Sequence, residues 1–230
     1  MILRLIGVAM SISLLTGSLP ARAQDAGAAG AAYVVSYVEV APWAQHVALP
    51  LLRTLRDASR KEAGTAGYEI LQRIGQPTHF IILESWKDAK AQAAHVAVSA
   101  SWREALKPNL IAPIDERTYS GFAVDASNAV TTGAVYAVTH IDLIGAKKDE
   151  GLEALKQLKL NSMKETGVLL FNIWQQTSRP NHLTLIEIWR GQAALERHEI
   201  AEHTRKFREA LLPMSGSLYD QRLYQAMKEK

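Results

Sequence analysis

Sliding the 230-residue chain against itself by 103 positions lays Gln76-Pro77-Thr78-His79-Phe80-Ile81-Ile82-Leu83-Glu84-Ser85-Trp86 on Arg179-Pro180-Asn181-His182-Leu183-Thr184-Leu185-Ile186-Glu187-Ile188-Trp189, with Pro, His, Glu and Trp coinciding. Tyr33 with Tyr136, Glu62 with Glu165, Gly64 with Gly167, Gln72 with Gln175 and His95 with His198 keep the same offset. Arg103-Glu104-Ala105-Leu106 then matches Arg208-Glu209-Ala210-Leu211 at an offset of 105, so the second copy carries two extra residues between His198 and Arg208. Pro108 with Pro213, Asp115 with Asp220, Arg117 with Arg222 and Tyr119 with Tyr224 hold the new offset. Such a chain folds as two copies of one small unit, and two copies are too few for a solenoid, which needs at least about three.

Each copy has the same order of elements. Tyr33 to Val40, and Tyr136 to Leu143, place Val, Tyr and Ile at strand spacing. A helix is expected over Ala44 to Glu62 and Lys148 to Glu165, with Val47, Leu51, Leu55 and Ala58, or Leu152, Leu155 and Leu158, along its apolar stripe. Gly64 and Gly167 stand where it should stop. Two strands follow, Tyr68 to Arg73 with Phe80 to Trp86, and Leu169 to Gln176 with Leu183 to Trp189, each pair joined by a Pro-containing turn. A second amphipathic helix runs towards Pro108 or Pro213, and a last strand near Arg117 to Phe122 or Asp220 to Gln225 closes a β-α-β-β-α-β unit. That order is the ferredoxin-like α+β plan, an antiparallel sheet with helices on one face. The other face of each sheet needs a cover, and stacking the two tandem units into one intrachain barrel supplies it.

The domain limits follow: residues 33–122 and 135–227 are the two units, joined by a linker over 123–134. Residues 1–23 read as a signal peptide, with Arg4 as the positive end, an apolar stretch from Leu5 to Leu15 and Ala21-Arg22-Ala23 as an A-x-A cleavage signal. Ser11, Ser13 and Thr16 interrupt that stretch, which falls short of the roughly 20 apolar residues of a membrane span. Cleavage after Ala23, a flexible mature N-terminus over 24–32, a periplasmic or secreted location and no stable membrane anchor are therefore expected. The net charge of +3 is not gathered into a basic run, so no nucleic-acid partner is expected. With no cysteine there is no disulfide, thiolate metal site or Cys nucleophile.

A strand ending in Glu-x-Trp, followed by a helix with Leu-x-x-His and then a Pro-terminated helix, resembles the antibiotic biosynthesis monooxygenase family, particularly its quinol monooxygenase-like members. The residues that carry the resemblance are Leu185-Ile186-Glu187-Ile188-Trp189, Ala194-Leu195-Glu196-Arg197-His198 and His203. The resemblance spans Tyr33 to Met227 and implies a dimeric α+β barrel, here fused into one polypeptide. It also implies oxidation of an aromatic quinol- or phenol-type molecule by O2 with no metal, flavin or other cofactor. A non-catalytic module that binds a small hydrophobic or aromatic ligand, and a haem-binding or haem-degrading relative, are the alternatives. The haem-degrading branch carries an Asn on the first strand, where this chain offers Ser36 and Thr139.

Strand alternation puts Leu183, Leu185, Glu187 and Trp189 on one face, and Phe80, Ile82, Glu84 and Trp86 on the equivalent face of the first copy, so each unit is expected to line one cavity between sheet and helices. A carboxylate beside an indole in apolar surroundings has a raised pKa, which suits a base for a phenolic proton. The alternatives are that the Glu caps the next helix or pairs with an arginine. His95 shares a helix face with Ala91, Val98 and Trp102 and is expected to look inward, either to hold a substrate anion or as a core histidine bonded to backbone. Glu187, His198, Trp189 and His203 are thus the expected catalytic group, with Glu84, Trp86, His95, Thr139 and Ser36 as substrate-lining residues. Ala100 stands five residues after His95 where His203 stands five after His198, which favours the second pocket as the working one. Five residues turn about 140° around an ideal helix. His198 and His203 therefore share no metal edge unless the insertion breaks the helix, and no metal is expected.

Overall fold

The computed structural model describes residues 30–124 and 133–227; the expected signal peptide, most of the N-terminal segment and most of the expected linker lie outside the described residues. The first unit runs β1 (Ala32–Glu39), α1 (Gln45–Ser59), β2 (Thr65–Arg73), β3 (Gln76–Trp86), α2 (Ala89–Val98), α3 (Ala100–Leu106) and β4 (Asp115–Ala123). The second runs β5 (Val135–Asp142), α4 (Lys148–Ser162), β6 (Val168–Gln176), β7 (His182–Trp189), α5 (Gln192–Ile200), α6 (Glu202–Leu211) and β8 (Asp220–Ala226). The expected βαββαβ order is present in both, with one difference: the single second helix is two helices in each copy.

The eight strands form one closed barrel in the order β1-β3-β2-β8-β5-β7-β6-β4. The units join edge to edge. Leu71, Gln72 and Arg73 of β2 pair with Ala226, Gln225 and Tyr224 of β8, and Trp174, Gln175 and Gln176 of β6 pair with Gly121, Ser120 and Tyr119 of β4. These two seams are the same contact under the repeat offsets, so the halves are related by a pseudo-twofold axis. Closure leaves no sheet edge among the described strands exposed to pair with another chain.

Alternation along the strands divides the apolar residues into three cores. Tyr33, Val35, Ile81, Leu83, Tyr136, Val138, Ile186 and Ile188 point into the barrel and meet there. Phe80, Ile82 and Trp86 point outward under α1 to α3, and Leu183, Leu185 and Trp189 do the same under α4 to α6. Glu84 and Glu187 fall on the outward, helix-covered face, as period-two alternation requires.

Several local expectations shift. The buried stripe of α1 is Ala48, Leu52, Leu55 and Ser59, whereas Val47 is exposed. The same positions in α4 are Gly151, Leu155, Leu158 and Ser162. Ser59 and Ser162 are fully buried on this stripe although they are polar, which is why apolar periodicity alone placed the first face one residue off. Both helices end at those serines, before Gly64 and Gly167. The glycines serve the next packing step. With φ of +92° and +100°, their missing side chains leave room for Ala91 and Ala194, whose Cβ atoms would stand 2.7 and 2.8 Å from an added Cβ. Pro77 lies within β3 rather than in the first β-hairpin turn, where Gly75 takes a φ of +79°. Trp174 packs inside the barrel against Tyr33, but Trp43 is exposed.

Candidate functional site

The outward faces of β3 and β7 each present a carboxyl, an indole and the imidazole of the following helix as one buried cluster. In the second unit the Trp189 Nε1–H donates to Glu187 Oε2 at 3.0 Å, and the His198 ring lies over Trp189 with centroids 4.6 Å apart and planes 30° apart. In the first, Trp86 Nε1–H donates to Glu84 Oε2 at 2.8 Å and His95 lies over Trp86 at 4.8 Å and 30°. Neither Glu caps the following helix: Asp88 accepts from Ala91 N in the first unit, and Gly191 stands at that position in the second. His95 and His198 are not core histidines bonded to backbone either. Their Nδ1 atoms face Glu62 at 3.0 Å and Glu165 at 2.6 Å, carboxylates held by the loop after the preceding helix. A carboxylate only accepts, so in the neutral ring the hydrogen sits on Nδ1 and Nε2 keeps its lone pair. In the second unit that Nε2 is 3.6 Å from Glu187 Oε2.

Electrostatics follows from burial. Glu187 is 1% exposed, and desolvation pushes its carboxyl up to about 8 against the opposing hydrogen bond from Trp189. Burial raises Glu84 in the same way. Burial lowers His198, which the Glu165 hydrogen bond partly offsets. Near neutral pH the second cluster is thus a protonated acid beside a neutral imidazole, and the 3.6 Å approach is not an ion pair.

Ser36 and Glu84 share a narrow cleft with His95, Tyr68, Ser99 and Trp102. A water-sized sphere does not fit between its walls. Thr139 occupies the place of Ser36 on β5 and is fully buried. In the second unit Phe171 replaces Tyr68, Phe207 replaces Trp102, and Tyr219 replaces Ile114. Tyr219 is pushed up to about 12 by burial, with Glu187, Arg208 and Thr139 around it. Sequence reasoning favours the second pocket on the strength of His203; this cleft lies at the first cluster.

The two extra residues change the second cluster. Ser99 keeps helical angles between α2 and α3, but Ala201 between α5 and α6 is extended, with φ −60° and ψ 144°. The premise of one continuous helix fails here. His203 swings back, and its Nε2–H donates to the same Glu165 Oε1 at 2.9 Å. Ligand atoms of Glu165, His198 and His203 all lie within 4.8 Å of one another.

Glu62 and Glu165 are the site residues that sequence reasoning did not select. Their coincidence at offset 103, two residues before Gly64 and Gly167, was the available signal. His140 and Tyr37, equivalent positions with different residues, meet across the pseudo-twofold axis in a hydrogen bond between the Tyr37 hydroxyl and His140 Nε2. His79 and His182 bind Glu39 and Asp142 at 2.9 and 3.2 Å, near the barrel rim.

The profile of the family named antibiotic biosynthesis monooxygenase matches residues 31–107 and again 134–210. YcnE of Bacillus subtilis, named a candidate monooxygenase, is 33% identical over 60 residues, covering 26% of this chain and 63% of that protein, so the match spans under two thirds of its length. A candidate monooxygenase from Fusobacterium nucleatum superposes with a TM-score of 0.78 at 16% identity, over 86% of this chain and 93% of its own. One from Lactobacillus acidophilus gives 0.72 at 14%, over 85% and 93%. At such identities these two likenesses speak for the fold.

Proposed function

Because the chain belongs to the antibiotic biosynthesis monooxygenase family in both of its repeats, we propose that it is an exported monooxygenase oxidising a phenol- or quinol-type aromatic molecule with O2, without a flavin or redox metal. Fold alone does not fix an activity. The observation that carries the reading is the buried carboxyl–indole–imidazole cluster opening on a cleft in the first unit. The substrate's phenolic proton passes to Glu84 or to the free Nε2 of His95, and the resulting electron-rich anion reduces O2. In a balanced turnover, a phenol and O2 give a quinone and water: one ring C–H becomes C=O, and the second oxygen leaves as water with two substrate hydrogens. Ser36 and Trp102 shape the wall, and Trp86 holds Glu84 through its Nε1–H. Glu187, Trp189, His198, His203 and Thr139 are the counterparts in the second unit.

No water-sized sphere fits the cleft as it stands, so an aromatic ring enters only when Trp102 and the α2–α3 junction move aside. Oxygen uptake with a panel of hydroquinones, phenols and anthrones tests this. Glu84→Gln and His95→Ala should each lower kcat/KM by about 100-fold or more, the scale of a lost general base. Unchanged uptake in both variants refutes the site, and tight binding with no uptake favours the non-catalytic binding module. Arg4, Leu5 to Leu15 and Ala21-Arg22-Ala23 support export; an uncleaved chain confined to the cytoplasmic fraction argues against it, and an N-terminus other than Gln24 in the exported fraction argues against cleavage after Ala23. The closed barrel supports a monomer, which light scattering checks.

A further inference from the structure

We propose that Glu165, His198 and His203 form a binding site for a divalent transition metal of the zinc class, built into the second unit and missing from the first. This proposal is independent of the monooxygenase reading.

The donor set is two imidazole nitrogens and one carboxylate oxygen, which zinc takes readily, leaving a fourth position for solvent. Glu165 Oε1 already stands 2.6 Å from His198 Nδ1 and 2.9 Å from His203 Nε2, and no pair of ligand atoms is more than 4.8 Å apart. Zinc bonds of about 2.0–2.1 Å at tetrahedral angles put ligand atoms about 3.3 Å apart. The present separations straddle that value, so an ion enters when Glu165 and His203 each move by about an ångström. Both are partly exposed, at 17% and 25%, which gives an ion a way in and the side chains room to adjust.

His198 is fixed by contrast. It is 2% exposed, its ring lies over Trp189, and its other nitrogen faces Glu187 Oε2 at 3.6 Å. A metal on Nδ1 leaves the ring hydrogen on Nε2, pointing at Glu187. The Glu187 carboxyl then accepts from the ligand's second nitrogen, the outer hydrogen bond that orients a metal-bound imidazole. The first unit shows what the site is made from. It holds the same pair, Glu62 with His95 at 3.0 Å, but Ala100 stands five residues after His95 and Ser99 stays helical. The two inserted residues and the extended turn at Ala201 supply the third ligand.

The competing account is that Glu165 only accepts two hydrogen bonds. Untagged, chelator-stripped protein titrated with ZnCl2 in a calorimeter separates the two, with Co2+ as a visible-absorption probe of four-coordinate geometry. One Zn2+ per chain is expected. His203→Ala and Glu165→Gln should each weaken binding by about tenfold or more, while Glu62→Gln and His95→Ala leave it unchanged. His203→Gln provides a second variant at the partly exposed position, with circular dichroism checking that each variant folds. No bound ion, or affinity unchanged by both His203 variants, overturns the proposal. Oxygen uptake is not measured, and zinc does no redox chemistry, so this result and that of the monooxygenase assay stand or fall separately.

Discussion

Replacing Glu187 with Gln should remove a pH dependence from the stability of the second unit. The carboxyl is 1% exposed and burial pushes it from an ordinary 4.5 up to about 8. The folded state therefore holds a proton that the unfolded chain releases above pH 4.5. Stability from this group is fully present below that point and is lost as pH rises through 8, when a charge must form in an apolar site. Integrated from pH 5 to 8.5, the loss is on the order of 4 kcal/mol as a ceiling, because water penetration and relaxation reduce it. Glu187→Gln keeps an oxygen for the Trp189 Nε1–H but has nothing to ionise. Urea unfolding followed by tryptophan fluorescence, with chelator present, should give nearly equal stabilities at pH 5 and a variant more stable by several kcal/mol at pH 8.5. Stability curves that run parallel across this range would refute the reasoning.

Two further outcomes test the frame around the site. Gly151→Ala in α4 should destabilise despite the helix-propensity gain of about 1 kcal/mol, since the new Cβ would stand 2.5 Å from Leu143 Cδ2 and overpacking costs about 1–3 kcal/mol; a raised Tm would count against this packing, and pairing it with Leu143→Ala should recover part of the loss. Burial, helped by Arg117, holds His140 down to about 4, so the folded state resists protonation and stability should fall as pH drops from 6.5 through 4. His140→Gln should flatten that acid limb in thermal melts, and an unchanged limb would sink the assignment.

Much of this fold is written in local pattern. Period-two spacing put Glu187 and Trp189 on one face because a strand's side chains alternate whatever surrounds it, and the offset of 103 carried the same statement to Glu84 and Trp86. The buried stripe of α1 was less legible, since Ser59 is buried and Val47 exposed, against their polarity. Comparing the repeats would have corrected it, because Ser59 and Ser162 coincide.

What the sequence determined by itself is the double βαββαβ unit, its need for a cover on the barrel side and the apolar setting of each Glu–Trp pair, all consequences of periodicity and of a repeat that is visible without coordinates. Only the tertiary structure decided how β2 and β6 find β8 and β4, that Glu62 and Glu165 reach the histidines across 33 residues of chain, and that the turn at Ala201 brings His203 onto Glu165. These depend on where segments distant in sequence come to rest, and on a backbone angle at one alanine that its side chain does not specify.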